Sequence, residues 1–431
     1  MSIWQGTIIA TGIATGLLIG ACVHPPSHLG MDPDPAENAY QALDPQDEAA
    51  LAPGVMCVRL SAYEGKIDVR VIGSAEGEVA FHRAGDSISS SNGERAKSFL
   101  MREVPNGGGF ILGERVYLGD LRISLGNDGG LSIENQVGLE DYIAGVVPAE
   151  LILWSAKESE IEAQAIAART YALRSLGRRK VLDANAFLWD DTRDQVYLGQ
   201  FQPEDSDGSR RVAARLQRAL QNSNSLVMRD SEGDLYDVRF HASCGGYTTS
   251  PAEAFPLEST WHHSPVRCEP CAKIGVEESS WPVLDKRRRR VHWRWTVPAA
   301  DLNLLAQEMG SLGAVTSLST PQIDGNERWQ SVVLQGTAKS KRVSIEDFRR
   351  VLGAASLKSG RMVAVWPRVG ERITGGVFFE GLGRGHGAGL CQIGSHEYAQ
   401  RGWTAERILN HYLPGVRIEP LPTARIATSS N

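Results

Sequence analysis

The stretch spanning residues 156–176 constrains this chain more than any other. Apolar Ile161, Ala165, Ala168 and Ala172 recur three or four residues apart, alanine is abundant, and Gly177 stands where a helix would stop. That spacing predicts one long helix. From residue 55 to about 133 the pattern is different, with short apolar alternations at 56–60, 67–72, 110–112 and 121–123 broken by glycine and polar turns. These read as strands joined by hairpins. After the helix come strand patterns at 225–228, 235–240, 291–295 and 331–334, with a short helix at 301–309. A glycine-dense loop at 381–389 then leads into a helical run to about Gln400 and a shorter helix at 405–411. Strands, helix, strands and helices without regular βαβ alternation predict the α+β class: a mixed, strand-rich domain carrying one long alanine-rich helix and C-terminal helices.

The 431 residues, 42% hydrophobic and 22% charged, supply enough apolar mass for one large or two smaller domains and exclude disorder as an overall description. A net charge of −6 gives no field to draw a polyanion, so nucleic acid is not an expected partner. There is no phosphate-binding loop, hence no organic cofactor is expected, and no internal repeat. The basic run at 286–290 reads as a solvated loop or strand end.

At the amino terminus an apolar run over residues 8–21 has the length of a signal-peptide core and is too short and glycine-rich for a comfortable membrane span. Gly20 and Ala21 stand directly before Cys22, an arrangement similar to the bacterial lipobox, in which the cysteine is lipidated and becomes the first residue. The start carries no Lys or Arg, so a conventional signal peptide and a buried helix stand as alternatives. The expected division is a signal peptide at 1–21, a Pro- and Asp-rich tether at 22–54, an N-terminal strand-rich region at 55–133 and a larger domain at 134–431. On the lipidation reading the protein is exported to the cell envelope and held to a membrane at Cys22. Val23 after the cysteine, in place of Asp, suits outer-membrane delivery in a host with two membranes.

Three constellations could carry chemistry. Glu150 follows an apolar run and Pro148 and precedes Leu151, Ile152, Leu153 and Trp154. Apolar surroundings would raise its pKa and keep a proton for general-acid work, whereas the plainer alternative is a surface Glu capping a short helix. Around His386, Gly383, Gly385, Gly387 and Gly389 leave the imidazole open to donate to a substrate or to act as acid or base, or simply form a tight turn. His396-Glu397 is followed by Gln400 where a zinc-protease helix needs a second His, so that motif is not satisfied.

The third constellation is His241 and Cys244 followed by Cys268 and Cys271, with His262 and His263 between the pairs. One His and three Cys at these spacings match a closed, structural zinc site, with a disulfide or free thiols as the competing readings. Cys391, five residues after His386, suggests a Cys–His nucleophile, but two residues on one tight turn rarely face each other well. Cys57 lies in a strand pattern and reads as core.

Taken in order, residues 139–150, 162–173, 194–199, 240–246, 348–353 with Leu357-Lys358-Ser359, 383–394 and 408–415 resemble the SpoIID/LytB family of bacterial cell-wall proteins. The resemblance implies peptidoglycan as substrate. Its sporulation branch is similar to lytic transglycosylases that cleave glycan strands stripped of stem peptides, with a glutamate as the acid/base, here Glu150 by motif position. It further implies Arg169, Tyr171, His386 and Gln392 as groups that position sugar or stabilise charge. The other branch consists of amidase enhancers thought to act through a partner hydrolase, so a non-catalytic glycan-binding role with a cell-wall amidase as partner is the alternative. Three departures stand out: Leu151 where Met is usual, Cys391 where Ser is common, and a stretch from Ala156 to Glu162 that is more acidic than the usual basic helix face.

Overall fold

The computed structural model describes residues 54–73, 77–103, 108–183, 186–255, 264–274, 291–353 and 357–422. The leader, Cys22, the tether up to residue 53, His262, His263 and the run at 286–290 lie outside the described residues. The architecture is mixed α+β, as expected from the order of elements.

Residues 55–138, joined by one edge strand from later in the chain, form two sheets. One places Leu188–Trp189, Val55–Arg59, Leu131–Gly138, Asp120–Leu125 and Ser98–Met101 side by side, antiparallel except for the parallel edge at Leu188–Trp189. The other runs Arg95–Ala96, Ser87–Ser90, Gly77–Ala84, Asp68–Gly73, Phe110–Leu112, Arg115–Tyr117. Period-two alternation sets their inner faces: in Asp68–Gly73, Val69 and Val71 point inward while Arg70 and Ile72 face out. Val71, Phe81, Ile88 and Phe110 share one core with Val58, Ile123 and Ile133 from the first sheet.

Strand Leu131–Gly138 runs straight into helix α1, Leu139–Glu150, which turns Tyr142, Ile143, Val146 and Val147 into the same core. Gly145 is required there, because a Cβ would come within 2.4 Å of the Tyr197 ring and 2.6 Å of the Gly199 carbonyl. Helix α2, Glu158–Leu182, follows. It runs through Gly177 instead of stopping there: the glycine is buried in the helix interior, where a cost of about 1 kcal/mol relative to Ala is easily absorbed by packing. Small side chains let α2 be packed on nearly all sides. Ile161, Ala165, Ala168, Ala172 and Leu176 belong to the first core, whereas Ala163, Ile166, Ala167 and Tyr171 belong to a second. Helix α3, Asp207–Asn222, lies along α2 with Val212, Leu216 and Ala219 buried.

The strand expected at 235–240 is mostly irregular: it makes one isolated bridge, Leu235 to Arg229, and pairs regularly only at Phe240–His241, which lies parallel to Leu390–Cys391. Every residue from Leu235 to Phe240 is buried, with Asp237 and Arg239 paired to each other at 3.0 Å, so the segment lacks the two unlike faces of a sheet strand. Residues 291–382 form a third layered unit. Two three-stranded sheets, His292–Pro298 / Gly376–Leu382 / Met362–Trp366 and Val315–Ile323 / Trp329–Gly336 / Ser340–Ser344, enclose a core with α4, Ala299–Glu308, and α5, Ile345–Leu352. The chain then returns to the second core through α6, Gln392–Gln400, and α7, Ala405–Tyr412, and ends on strand Arg417–Pro420 against Leu226–Arg229.

Candidate functional site

Glu150 is the last residue of α1 and is 6% exposed. Its Oε1 accepts the Val196 N–H at 2.8 Å, and its Oε2 faces the Gln392 amide at 3.4 Å. Burial raises its pKa from 4.5 to about 7 against these two hydrogen bonds, which favour the ionised form. The negative end of the α1 dipole works in the same direction as burial. The result is a carboxyl that exchanges its proton near neutrality.

Val196 is held in place from below. Asp194, fully buried, accepts from the Tyr171 hydroxyl at 2.8 Å, from Arg179 at 2.6 and 2.8 Å, and from the Trp189 N–H at 2.8 Å. Tyr197 donates to Asn135 at 2.8 Å, and the Gln195 amide reaches the Ala168 carbonyl at 3.3 Å. Residues 194–197 thus clamp a backbone donor against Glu150. Sequence gave no signal for this donor, since any residue supplies an N–H.

Helix α6 closes the other side. Gln392, His396 and Gln400 fall four residues apart on one face and meet, in turn, Glu150, the Glu160 carboxylate at 2.9 Å, and the Ser155 carbonyl at 2.9 Å. Arg215 on α3 donates to the Leu153 carbonyl at 2.6 Å. The segment 150–160 is therefore fixed from both flanks, while within it Ile152, 47% exposed, and Trp154, 61% exposed, project outward.

The other residues expected to meet sugar are interior. Arg169 is fully buried, bound to Glu140 at 2.8 and 2.5 Å and to the Leu226 carbonyl at 2.9 Å. Tyr171 acts through Asp194. His386 is 2% exposed. Its Nδ1 accepts the Ala388 N–H at 3.1 Å, which leaves the proton on Nε2, facing the Phe240 carbonyl at 3.0 Å. Burial holds it well below the ordinary histidine range, so it is a neutral strut rather than the open acid or base expected from its glycines. Of the four, Gln392 alone touches Glu150.

The metal-ligand set also differs from expectation. Cys244, Cys268, Cys271 and Cys391 bring their sulfurs within 4.8 Å of one another, all buried, a cluster that could hold a metal ion. Cys391 takes the place assigned to His241, because the parallel pairing of Leu390–Cys391 with Phe240–His241 brings it in from far along the chain. His241 is not one of the four: its Nδ1 donates to the Ala388 carbonyl at 2.9 Å, and its ring stands beside Cys391. The sulfurs meet a ring of donors: the Cys244 and Gly394 N–H groups on Cys391 at 3.3 and 3.4 Å, the Gly246 N–H on Cys244 at 3.4 Å, and the Tyr412 hydroxyl beside Cys268 at 3.1 Å. Burial opposes ionisation of Cys391, yet hydrogen bonds from its three partner thiols and His241 carry it well below its ordinary value. From the third unit, Arg328 donates to the Cys244 carbonyl at 3.0 Å and Arg361 to that of Gly245.

The model of the SpoIID family, described as stage II sporulation protein, matches residues 127–229. These residues contain α1, Glu150, α2 and the clamp at 194–197. The chain carries a SpoIID-family domain. Stage II sporulation protein D of Bacillus subtilis (strain 168) is 26% identical over 292 residues, 67% of this chain and 76% of that protein. Its counterpart from Bacillus amyloliquefaciens is 27% identical over 293 residues, 67% and 75% of the two chains. An uncharacterised protein of Brachyspira hyodysenteriae is 26% identical over 320 residues, 72% and 74%. All three alignments extend well beyond the SpoIID match itself.

Proposed function

We propose that this SpoIID-family chain is a peptidoglycan lytic transglycosylase acting on peptide-stripped glycan strands, with Glu150 as its acid/base. The observation that carries the reading is the buried Glu150 carboxyl with a pKa of about 7. Protonated Glu150 gives its proton to the glycosidic oxygen as the C–O bond breaks and positive charge develops on the N-acetylmuramic acid. The resulting carboxylate is stabilised by the Val196 N–H and the Gln392 amide. It then removes the proton from the C6 hydroxyl, whose oxygen closes onto C1 to give a 1,6-anhydro ring. No water is consumed and Glu150 is returned protonated, so one carboxyl suffices where hydrolases use two. Mass spectrometry of products tests this: 1,6-anhydro ends from the parent and none from Glu150→Gln are expected, and products with reducing ends would overturn it.

One observation favours a second reading, a non-catalytic enhancer that binds glycan for a partner amidase. Arg169, Tyr171 and His386 are all interior, which leaves few groups beside Glu150 to hold a substrate. Glycan retention without cleavage by the parent, together with amidase activity that rises on adding it, would select that role.

The cysteine cluster fits a structural zinc ion. Tetrahedral Zn–S bonds of about 2.3 Å set sulfurs roughly 3.8 Å apart, and Cys271 and Cys391 stand at 3.6 Å. Four thiolates leave no open position, so the metal would lock the start of α6 rather than take part in bond cleavage. Export to the cell envelope with a lipid anchor at Cys22 would bring the domain to its substrate, and palmitate labelling in the native host checks it.

A further inference from the structure

Arg169, Tyr171 and His386 are interior, so a hold on glycan near Glu150 has to come from other side chains. The segment directly after the acid offers them. Leu151 leaves α1 in an extended conformation, with φ −115° and ψ 149°. From there burial alternates: Leu151 and Leu153 turn inward, whereas Ile152 and Trp154 turn out to solvent. The chain then bends, with the Ser155 N–H on the Ile152 carbonyl at 3.4 Å and the Ala156 N–H on the Leu153 carbonyl at 3.3 Å. Trp154 stands on that bend.

Single exposed apolar residues are ordinary on a protein surface. What sets Trp154 apart is the frame around it. Arg215 of α3 holds the Leu153 carbonyl at 2.6 Å, Gln400 of α6 holds the Ser155 carbonyl at 2.9 Å, and Arg218 of α3 pairs with Glu158 at 2.6 Å. The indole itself rests on the first turn of α3, where a Cβ on Gly208 would come 3.2 Å from its Cζ3 and 3.7 Å from its Cη2. The ring is thus backed by α3 and still 61% exposed, a flat surface fixed before any ligand arrives.

Helix α6 gives its distance from the acid. Gln392 meets Glu150 and Gln400 meets Ser155, so the segment runs along one face of α6 between two residues eight positions apart. That is on the order of 12 Å of helix, which places Trp154 about 10 Å from Glu150. The separation suits a disaccharide repeat better than a single sugar. A strand laid along the segment from Glu150 crosses Ile152 and reaches Trp154.

We infer that Trp154 is a sugar-stacking platform: its indole receives the apolar C–H face of a pyranose ring one disaccharide removed from the bond at Glu150, with Ile152 as the floor between them. The ring binds the strand and sets its register on the acid, and takes no part in proton transfer. The inference deepens the glycan reading proposed above and rests on it.

Calorimetric titration with the full chain carrying Glu150→Gln tests it, so that binding is read without turnover. Stripped glycan strands of several repeats should bind roughly tenfold more weakly once Trp154→Ala is added, and Trp154→Phe should keep most of the affinity. In the chain with Glu150 intact, Trp154→Ala should leave the Glu150 carboxyl titration unmoved, which separates a platform from a prop for the acid. Unchanged glycan affinity in Trp154→Ala, a loss that Trp154→Phe does not rescue, or a displaced Glu150 titration would each overturn the inference and leave glycan binding standing. Stimulation of a cell-wall amidase that is lost in Trp154→Ala at unchanged glycan affinity would also overturn it, in favour of a protein contact. Failure of the starting protein to bind glycan would overturn the glycan reading and this inference with it.

Discussion

Gln392 Nε2 stands 3.4 Å from Glu150 Oε2, joining positions 242 residues apart. The amide can donate to a carboxylate but gains less from a protonated acid, so it lowers a pKa that burial has raised. Gln392→Met removes the donor with little change in volume. The Glu150 pKa should then move above about 7, read as a shift of its carboxyl carbon-13 titration and of the alkaline limb of glycan cleavage. An unmoved titration would mean that the contact carries no weight in solution.

The same carboxyl makes stability depend on pH. Its folded pKa of about 7 lies above the ordinary 4.5. Between those values the folded chain keeps a proton that the unfolded chain has released, so stability is greatest below about 4.5 and falls as pH rises to about 7. In Glu150→Gln this term is absent, and the variant should gain on the parent by about 3 kcal/mol between acid and mildly alkaline pH. Urea unfolding of both proteins across that range measures it. Parallel pH profiles would show that Glu150 ionises in the fold as readily as in water.

Metal analysis separates the two ligand sets. Cys391→Ser should drop bound zinc well below one per chain and lower Tm, whereas His241→Ala should keep the metal, because the four cysteine sulfurs make up a four-ligand set without His241. The opposite pattern would restore His241 as a ligand and remove Cys391.

The sequence made the alanine-rich helix legible because its small residues recur with helical period, and Glu150 legible because its neighbours are apolar. What it hid was long-range. Local spacing linked Cys244 to Cys268 and Cys271 but could not see Cys391 arriving through strand pairing. Glycines around His386 suggested access to solvent, yet they serve close packing: a Cβ at Gly389 would lie 2.0 Å from the Arg239 carbonyl oxygen. Helix α3 escaped notice because Val212, Leu216 and Ala219 make a thin apolar stripe among charged residues. The guanidinium of Arg169 is occupied by Glu140, 29 residues earlier, and by the Leu226 carbonyl, pairings that local spacing does not show.

Asp194→Asn tests whether the clamp at 194–197 is structural support for the site. The carboxylate is fully buried and paired with Arg179, whose side chain is partly exposed. Losing the charge should cost about 3 kcal/mol, measurable by urea unfolding. Cleavage should fall more than stability at low denaturant accounts for, because the Val196 N–H loses its fixed place. Unchanged cleavage in a destabilised protein would free Val196 from dependence on Asp194.

Gly394 joins the cysteine cluster to the acid. It opens the first turn of α6, two residues after Gln392, and its N–H donates to Cys391 Sγ at 3.4 Å. A Cβ there would come 1.8 Å from the Tyr412 hydroxyl and 2.6 Å from Cys268 Sγ. Neither atom can yield cheaply, since Tyr412 is fully buried and Cys268 belongs to the cluster. Gly394→Ala must therefore push α6 away from the sulfurs, at a cost of about 1–3 kcal/mol typical of overpacking. If α6 moves as a body, Gln392 moves with it, and the variant should lose zinc and raise the Glu150 pKa together. Parallel metal analysis and carboxyl titration read both. Loss of metal with an unaltered Glu150 titration would show that the cluster stabilises the fold without setting the acid.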